Sequence, residues 1–198
     1  MADIAQPVSE QTQAIKDALG KAILLRAAGK YEEALSHHEK TFYLVEHVPH
    51  QLRKWRAGVG RTYRLMGYPQ KALDAYNEAL RIPVQGEEDA EVAVGILSNI
   101  ANVLIDLNRP EEAHAFLSQA EEAIKETIHE DWLGEILECR ARAFYLEGKY
   151  SEGANVAERA ATMLGECGNA KSAIEARLTW AACWEAGRGV WVSGADKE

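Results

Sequence analysis

The chain has 198 residues, 47% hydrophobic and 27% charged, with a net charge of −9. That is enough apolar material for one domain or one short solenoid, and no apolar run approaches the roughly 20 residues that span a bilayer. The acidic balance argues against nucleic acid or an anionic membrane as the main partner, because phosphate binding needs a basic surface.

In chain order, residues 1–13 read as a polar lead: MADIAQPVSEQTQ has no basic start and no apolar stretch, so no secretory signal is expected. From residue 14, AIKDALGKAILLRAA carries apolar residues at helical spacing up to a turn at Gly29, and YEEALSHHEKTFYLVE resumes it. The same helix–turn–helix pattern recurs around Gly67, Asn108 and Gly148. Pro69 and Pro110 open second helices, where a missing N–H costs nothing. Glu32, Glu33, Glu111, Glu112 and Glu152 sit in first turns, where negative charge suits the helix dipole. A ninth helix is expected over about residues 169–186, with Leu178 and Ala182 matching Leu137 and Ala141. Arg188, Gly189 and Trp191 then mimic a further turn, leaving residues 187–198 as a tail. The three cysteines, Cys139, Cys167 and Cys183, form no CxxC pair and predict reduced thiols in a cytoplasmic setting.

A small-residue code ties the four turns together. Seven residues before each stands Ala22, Gly60, Ala101 or Ala141; five after stands Ala34, Ala72, Ala113 or Gly153; twelve after stands Thr41, Ala79, Ala120 or Ala160. All but Thr41 are Gly or Ala, which predicts a periodic close helix–helix contact. The larger Leu25, Tyr63, Leu104 and Phe144, four before each turn, are expected to fill the space left over.

The segments GKYEEALSHHEKTF, GYPQKALDAYNEAL, NRPEEAHAFLSQAEEA and GKYSEGANVAERAA resemble the tetratricopeptide repeat family, over about residues 14–186. The resemblance implies an all-α, right-handed α-solenoid of antiparallel helix pairs, about nine helices, with four repeats and a fifth first-helix. The turns lie 38, 41 and 40 residues apart, longer than the usual period of about 34. The extra residues are assigned between repeats, at HVPHQL, IPVQGEEDAEV and IHEDWL. Repeats of this length are similar to those of adaptors and bacterial regulatory proteins.

No catalytic constellation stands out. His38-Glu39 and His129-Glu130 lack a second His four residues on, and His47 with His50 would give a metal only two ligands. Gly58-Val59-Gly60 has no preceding strand and no third Gly, and the repeat register already accounts for Gly60. No enzyme activity, cofactor or metal is expected.

Charge is more informative. RKWRAGVGRTYRL, Arg53–Leu65, has five basic residues and no acidic one in a chain of net −9. In the family, first helices line the concave face. By register Lys54, Arg61 and Arg64 face the groove, joined by Ser98, Asn102, Glu138 and Arg142 from later repeats. Arg61, Asn102 and Arg142 occupy one repeat position and are expected to form a polar ladder, with Asn99 beside it in LSNIANVL. Arginine holds carboxylates through paired bonds and Asn serves a peptide backbone, so the ladder would hold an acidic peptide or helix segment. The competing reading pairs Arg61 internally with Glu138 or Asp106. The heat-shock carboxylate clamp of this family is not expected, because Leu19 and Ile23 stand where its first-repeat polar residues belong. Trp180 and Trp184, four apart, share a helix face with an apolar tail at Val190-Trp191-Val192 nearby. That favours an alternative role in assembly or regulation through the C-terminal end, its face covered by the tail, by a second copy in a homodimer, or by a further segment.

Overall fold

In the computed structural model, backbone is described for residues 5–83, 87–124 and 130–194, and side chains for 10–83, 90–124 and 131–188. The described residues form nine helices: α1 (Ala5–Ala27), α2 (Tyr31–Val45), α3 (Pro49–Leu65), α4 (Pro69–Arg81), α5 (Glu87–Asp106), α6 (Pro110–Ile124), α7 (Glu130–Leu146), α8 (Tyr150–Glu166) and α9 (Ala170–Gly194). There is no strand among them.

Each helix–turn–helix is closed in the same way. Gly29, Gly67 and Gly148 have φ of 72°, 78° and 74°, and Asn108, of a type that tolerates the left-handed region, has φ 56°. The N–H after each turn residue reaches back five residues: Lys30 to the Leu25 carbonyl at 2.9 Å, Tyr68 to Tyr63 at 2.9 Å, Arg109 to Leu104 at 2.8 Å and Lys149 to Phe144 at 2.9 Å. The large residues singled out in the sequence therefore supply the carbonyl that closes each helix as well as bulk. A fifth turn of this kind lies between repeats. Gly168 has φ 76°, Asn169 N–H bonds the Leu164 carbonyl at 2.9 Å, and the Ser172 N–H bonds the Asn169 side chain at 3.2 Å, capping α9.

The small positions do what their spacing predicts. Ala22, Ala101 and Ala141, then Ala34, Ala72 and Ala113, then Ala79, Ala120 and Ala160 are all buried, as are Gly60 and Gly153. Bulk is excluded most sharply at the glycines. A Cβ on Gly60 would lie 2.8 Å from the Tyr76 ring, and one on Gly153 would lie 2.8 Å from Cys183 Sγ.

The chain divides into two compact units, Met1–Val92 and Ala93–Glu198. In the first, α1 packs on α2, α2 on α3 and α3 on α4, around Ile15, Val45, Trp55, Val59 and Ala75. In the second, α6, α7, α8 and α9 pack in sequence and α7 also meets α9. Leu137, Ala160, Leu164, Ala173 and Ala176 make up its core.

Three expectations are corrected. The residues that lengthen the period extend the first helices more than the loops. HVPHQL, for instance, runs into α3, whose first residue is Pro49. At the C-terminal end the backbone stays helical through residues 188–191 to Gly194, so Arg188, Gly189 and Trp191 make no turn and the tail does not fold back before residue 194. Leu178 is also misplaced in the register: it is 66% exposed, whereas Leu137 is 4% exposed. The buried stripe of α9 is Ala173, Ala176 and Cys183, the last occupying the space that Gly153 leaves open.

Candidate binding surfaces

Helix α3 turns a different basic residue to each side. Arg53 is buried, and Arg56 pairs with Glu78 at 3.3 Å while its guanidinium stacks on Trp55 at 5.0 Å. Lys54 and Arg61 are exposed and make no ion pair among the described residues; Arg64 is half-buried. This is a surface charge left for solvent or a ligand, where the acidic remainder of the chain would lead one to expect neutralisation.

Behind it lies a cluster that the sequence did not announce. Arg26, near the end of α1, is only 8% exposed. Its Nη1 donates to His38 Nε2 at 3.3 Å and reaches the Gly58 carbonyl at 3.5 Å. Arginine can only donate, so His38 accepts at Nε2 and is neutral. Burial, then the charge of Arg26, pushes the His38 pKa down to about 4. Burial also lowers the Arg26 pKa, with Arg61 adding to it. Arg26 makes no ion pair among the described residues. The Gly58-Val59-Gly60 run is explained here by packing. A Cβ on Gly58 would lie 3.0 Å from the His38 ring and 3.5 Å from Arg26, while Gly60 admits Tyr76. The Tyr76 side chain is fully buried with Arg61 in reach of its hydroxyl, and burial raises its pKa to about 12 against the opposing pull of Arg61. Leu19 joins the apolar core of this unit and Ile23 is exposed, so neither supplies a polar clamp group.

In the second unit the polar residues of the expected ladder satisfy one another. Arg142 Nη1 donates to Asn102 Oδ1 at 2.8 Å, and Nη2 reaches Asp106 at 3.4 Å. Asn102 donates to the Ser98 carbonyl at 3.1 Å, and Asn99 donates to the Gly95 carbonyl of its own helix. Glu138 accepts from Thr179 at 3.3 Å; burial raises its pKa, opposed by Arg142. Asn102 and Arg142 are thus joined as the register foresaw, but to each other, with Asp106 as the partner of Arg142 rather than of Arg61.

Among the described residues the Trp pair of α9 is exposed, Trp180 by 38% and Trp184 by 52%. The rings stack at 5.9 Å with an interplanar angle of 8°, and Arg188 lies over Trp184 at 5.7 Å. They border a cleft of about 440 Å³ between α8 and α9, with Tyr150, Ala154, Glu158 and Cys183 in its walls. The Trp191 side chain lies outside the described residues. His47 is exposed beside Glu46 at 3.7 Å, and no group of three metal-ligating side chains occurs among the described residues. No helix of the described residues is long and apolar enough to cross a membrane.

A family model described as tetratricopeptide repeat matches residues 16–83. No curated protein matches the chain by sequence. Among solved structures, BtubC (BKLC) from P. vanneervenii is similar over 99% of this chain and 94% of its own, at 15% identity and a TM-score of 0.63. Bacillus thuringiensis PlcR, in complex with the peptide PapR7 and DNA, is similar over 87% of this chain at 14% identity and a TM-score of 0.73. The match spans 62% of PlcR. The MamA RS-1 ArsTM double mutant covers 89% of this chain, and 96% of its own, at 15% identity and a TM-score of 0.52. At these identities the likeness concerns the fold. With a family match over residues 16–83 and the same turn code continuing to Gly148, the chain is an all-α helical-repeat protein whose first part matches the tetratricopeptide repeat.

Proposed function

We propose that the chain is a non-enzymatic protein-interaction module that holds an acidic peptide or helix segment on the first-helix face of unit Met1–Val92. The observation that carries this reading is the state of α3: Lys54 and Arg61 are exposed without an ion pair among the described residues, on a helix with no acidic residue. An exposed guanidinium without a carboxylate partner suits an incoming carboxylate, which it can hold through two parallel bonds. PlcR, similar in fold, was crystallised with a peptide, PapR7, which supports the peptide part of this reading. The unit-2 residues Ser98, Asn99, Asn102, Glu138 and Arg142 contribute less, because their hydrogen-bonding capacity is largely spent on one another and on their own helices.

An array of acidic, neutral and basic peptides probed with the wild type and with Arg61→Glu tests the proposal. Acidic peptides should bind, weaken with salt, and lose roughly tenfold or more in affinity on charge reversal. Equal binding of basic and acidic peptides would refute it.

A second reading rests on the stacked Trp180 and Trp184. Such a patch beside a cleft is a common mark of an interaction surface, and it would make α9 a regulatory or assembly contact, in a homodimer or with another protein. Trp184→Asp separates the two readings, since it should leave acidic-peptide binding intact while removing any self-association seen by molar mass.

A further inference from the structure

Arg26 is a buried arginine of the first unit that has no carboxylate beside it among the described residues. Taking a guanidinium out of water is costly unless an anion accompanies it. Its partners here are a neutral imidazole and a main-chain carbonyl, at 3.3 and 3.5 Å. The Gly58 carbonyl already accepts from Thr62 Oγ1 at 2.9 Å, so it offers Arg26 little more. Arg61 lies three residues beyond Gly58 on α3, which places it one turn along the same side of the helix. It is exposed, and it too makes no ion pair among the described residues. Packed against Gly60 stands the Tyr76 ring, its buried hydroxyl within reach of Arg61 and close enough to feel the charge of Arg26. The two guanidiniums are close enough for Arg61 to make the charge on Arg26 less favourable. A pair of like charges, one of them buried, is an arrangement that an incoming anion stabilises twice over.

We infer that Arg26 and Arg61, with the Tyr76 hydroxyl beside them, form a carboxylate subsite that takes one acidic side chain or the terminal carboxylate of the bound peptide. This deepens the acidic-peptide reading and rests on it for the source of the carboxylate. Arg61 captures the anion from solvent, and Arg26 holds it from behind at the inner edge. His38 keeps the Arg26 fork in place by accepting one N–H, which only its neutral form can do. The subsite lies outside the Leu19 and Ile23 positions that the heat-shock clamp would use, and so represents a different way of reading negative charge.

The test is a glutarate titration of the purified chain in low-salt buffer, followed by thermal unfolding and by the arginine Nε–Hε signals in NMR. Wild type, Arg26→Met, Arg61→Met and a control, Arg56→Met, are compared. Glutarate should raise the melting temperature of wild type and Arg56→Met and shift the Arg26 and Arg61 signals. Arg26→Met and Arg61→Met should lose most of the response. An Arg26→Met protein that folds and responds like wild type overturns the subsite. If Arg26→Met does not fold, wild-type Arg26 signals that stay still throughout the titration overturn it equally well. The peptide array then distinguishes the two ideas. Acidic peptides that bind Arg26→Met as tightly as wild type sink the subsite and leave the peptide reading standing. Glutarate shifts in a wild type that binds no acidic peptide sink the peptide reading and leave an anion subsite for free dicarboxylates.

Discussion

Gly60→Ala puts the packing account at risk with a single methyl group. A Cβ at residue 60 would sit 2.8 Å from Tyr76 Cε1 and 2.9 Å from Cδ1. The Tyr76 side chain has no exposed surface and so no free direction in which to retreat. Overpacking of this kind costs about 1–3 kcal/mol. Alanine also returns about 0.5–1 kcal/mol of helix propensity over glycine, so the net loss alone would be ambiguous. A matched control removes the ambiguity. Gly20, in α1 of the same unit, has nothing within 4 Å of a built Cβ, so Gly20→Ala should show only the propensity gain. The stability difference between the two variants then isolates the clash, about 1–3 kcal/mol. Urea unfolding with unchanged m-value is the assay, and Tyr76→Leu in the Gly60→Ala background should recover part of the loss through a coupling that a double-mutant cycle exposes. Equal stabilisation by both alanines would refute the α3–α4 contact and the repeat register derived from it.

Further outcomes follow from the same contacts. Ala141→Leu, at a fully buried position, should destabilise by about 1–3 kcal/mol, whereas Gln119→Leu on an exposed site of α6 should change the urea midpoint little. Gly168→Ala forces a Cβ into a residue with φ 76° and should cost about 1–2 kcal/mol, read as a lower urea midpoint. His38 gives the pH dependence. Unfolded it titrates near 6.5 and folded at about 4, so between these values the unfolded chain binds the additional proton. Its contribution is fully present above pH 6.5 and is lost as pH falls toward 4, by about 3 kcal/mol. His38→Phe should flatten that part of the stability–pH curve; an unchanged slope would show that the imidazole is not held neutral by the fold.

The parts of the structure fixed by short-range geometry were legible in the sequence. The turns at Gly29, Gly67, Asn108 and Gly148 need a left-handed residue, and the buried positions around them need small ones, so both leave a residue-type signature. The turn at Gly168 carried the same signature in GNAKS, yet falls between repeats, where the code did not direct attention. The C-terminal register failed for a physical reason. Arg188-Gly189 looks like a helix end, but glycine permits a turn without requiring one, and the backbone of α9 continues through it to Gly194. Arg26 and His38 were illegible because a lone arginine at a helix end normally reads as a solvated C-terminal charge. Only the pairing of α1 with α2 and α3 shows that its guanidinium is buried. The polar ladder shows the opposite limit: register correctly places Asn102 beside Arg142, but only the structure shows that the two occupy each other.

The most direct test of the central claim is an amide and side-chain NMR map of an acidic peptide titrated into the labelled full chain. The account predicts shifts concentrated on Arg26, Lys54, Gly58 and Arg61, with Trp55, whose ring packs beneath Arg56, as a nearby indole reporter, and with Trp180 and Trp184 unmoved. Shifts that cluster at Trp180, Trp184 and Tyr150 while α1 and α3 stay silent would contradict it and move the binding surface to the α8–α9 cleft.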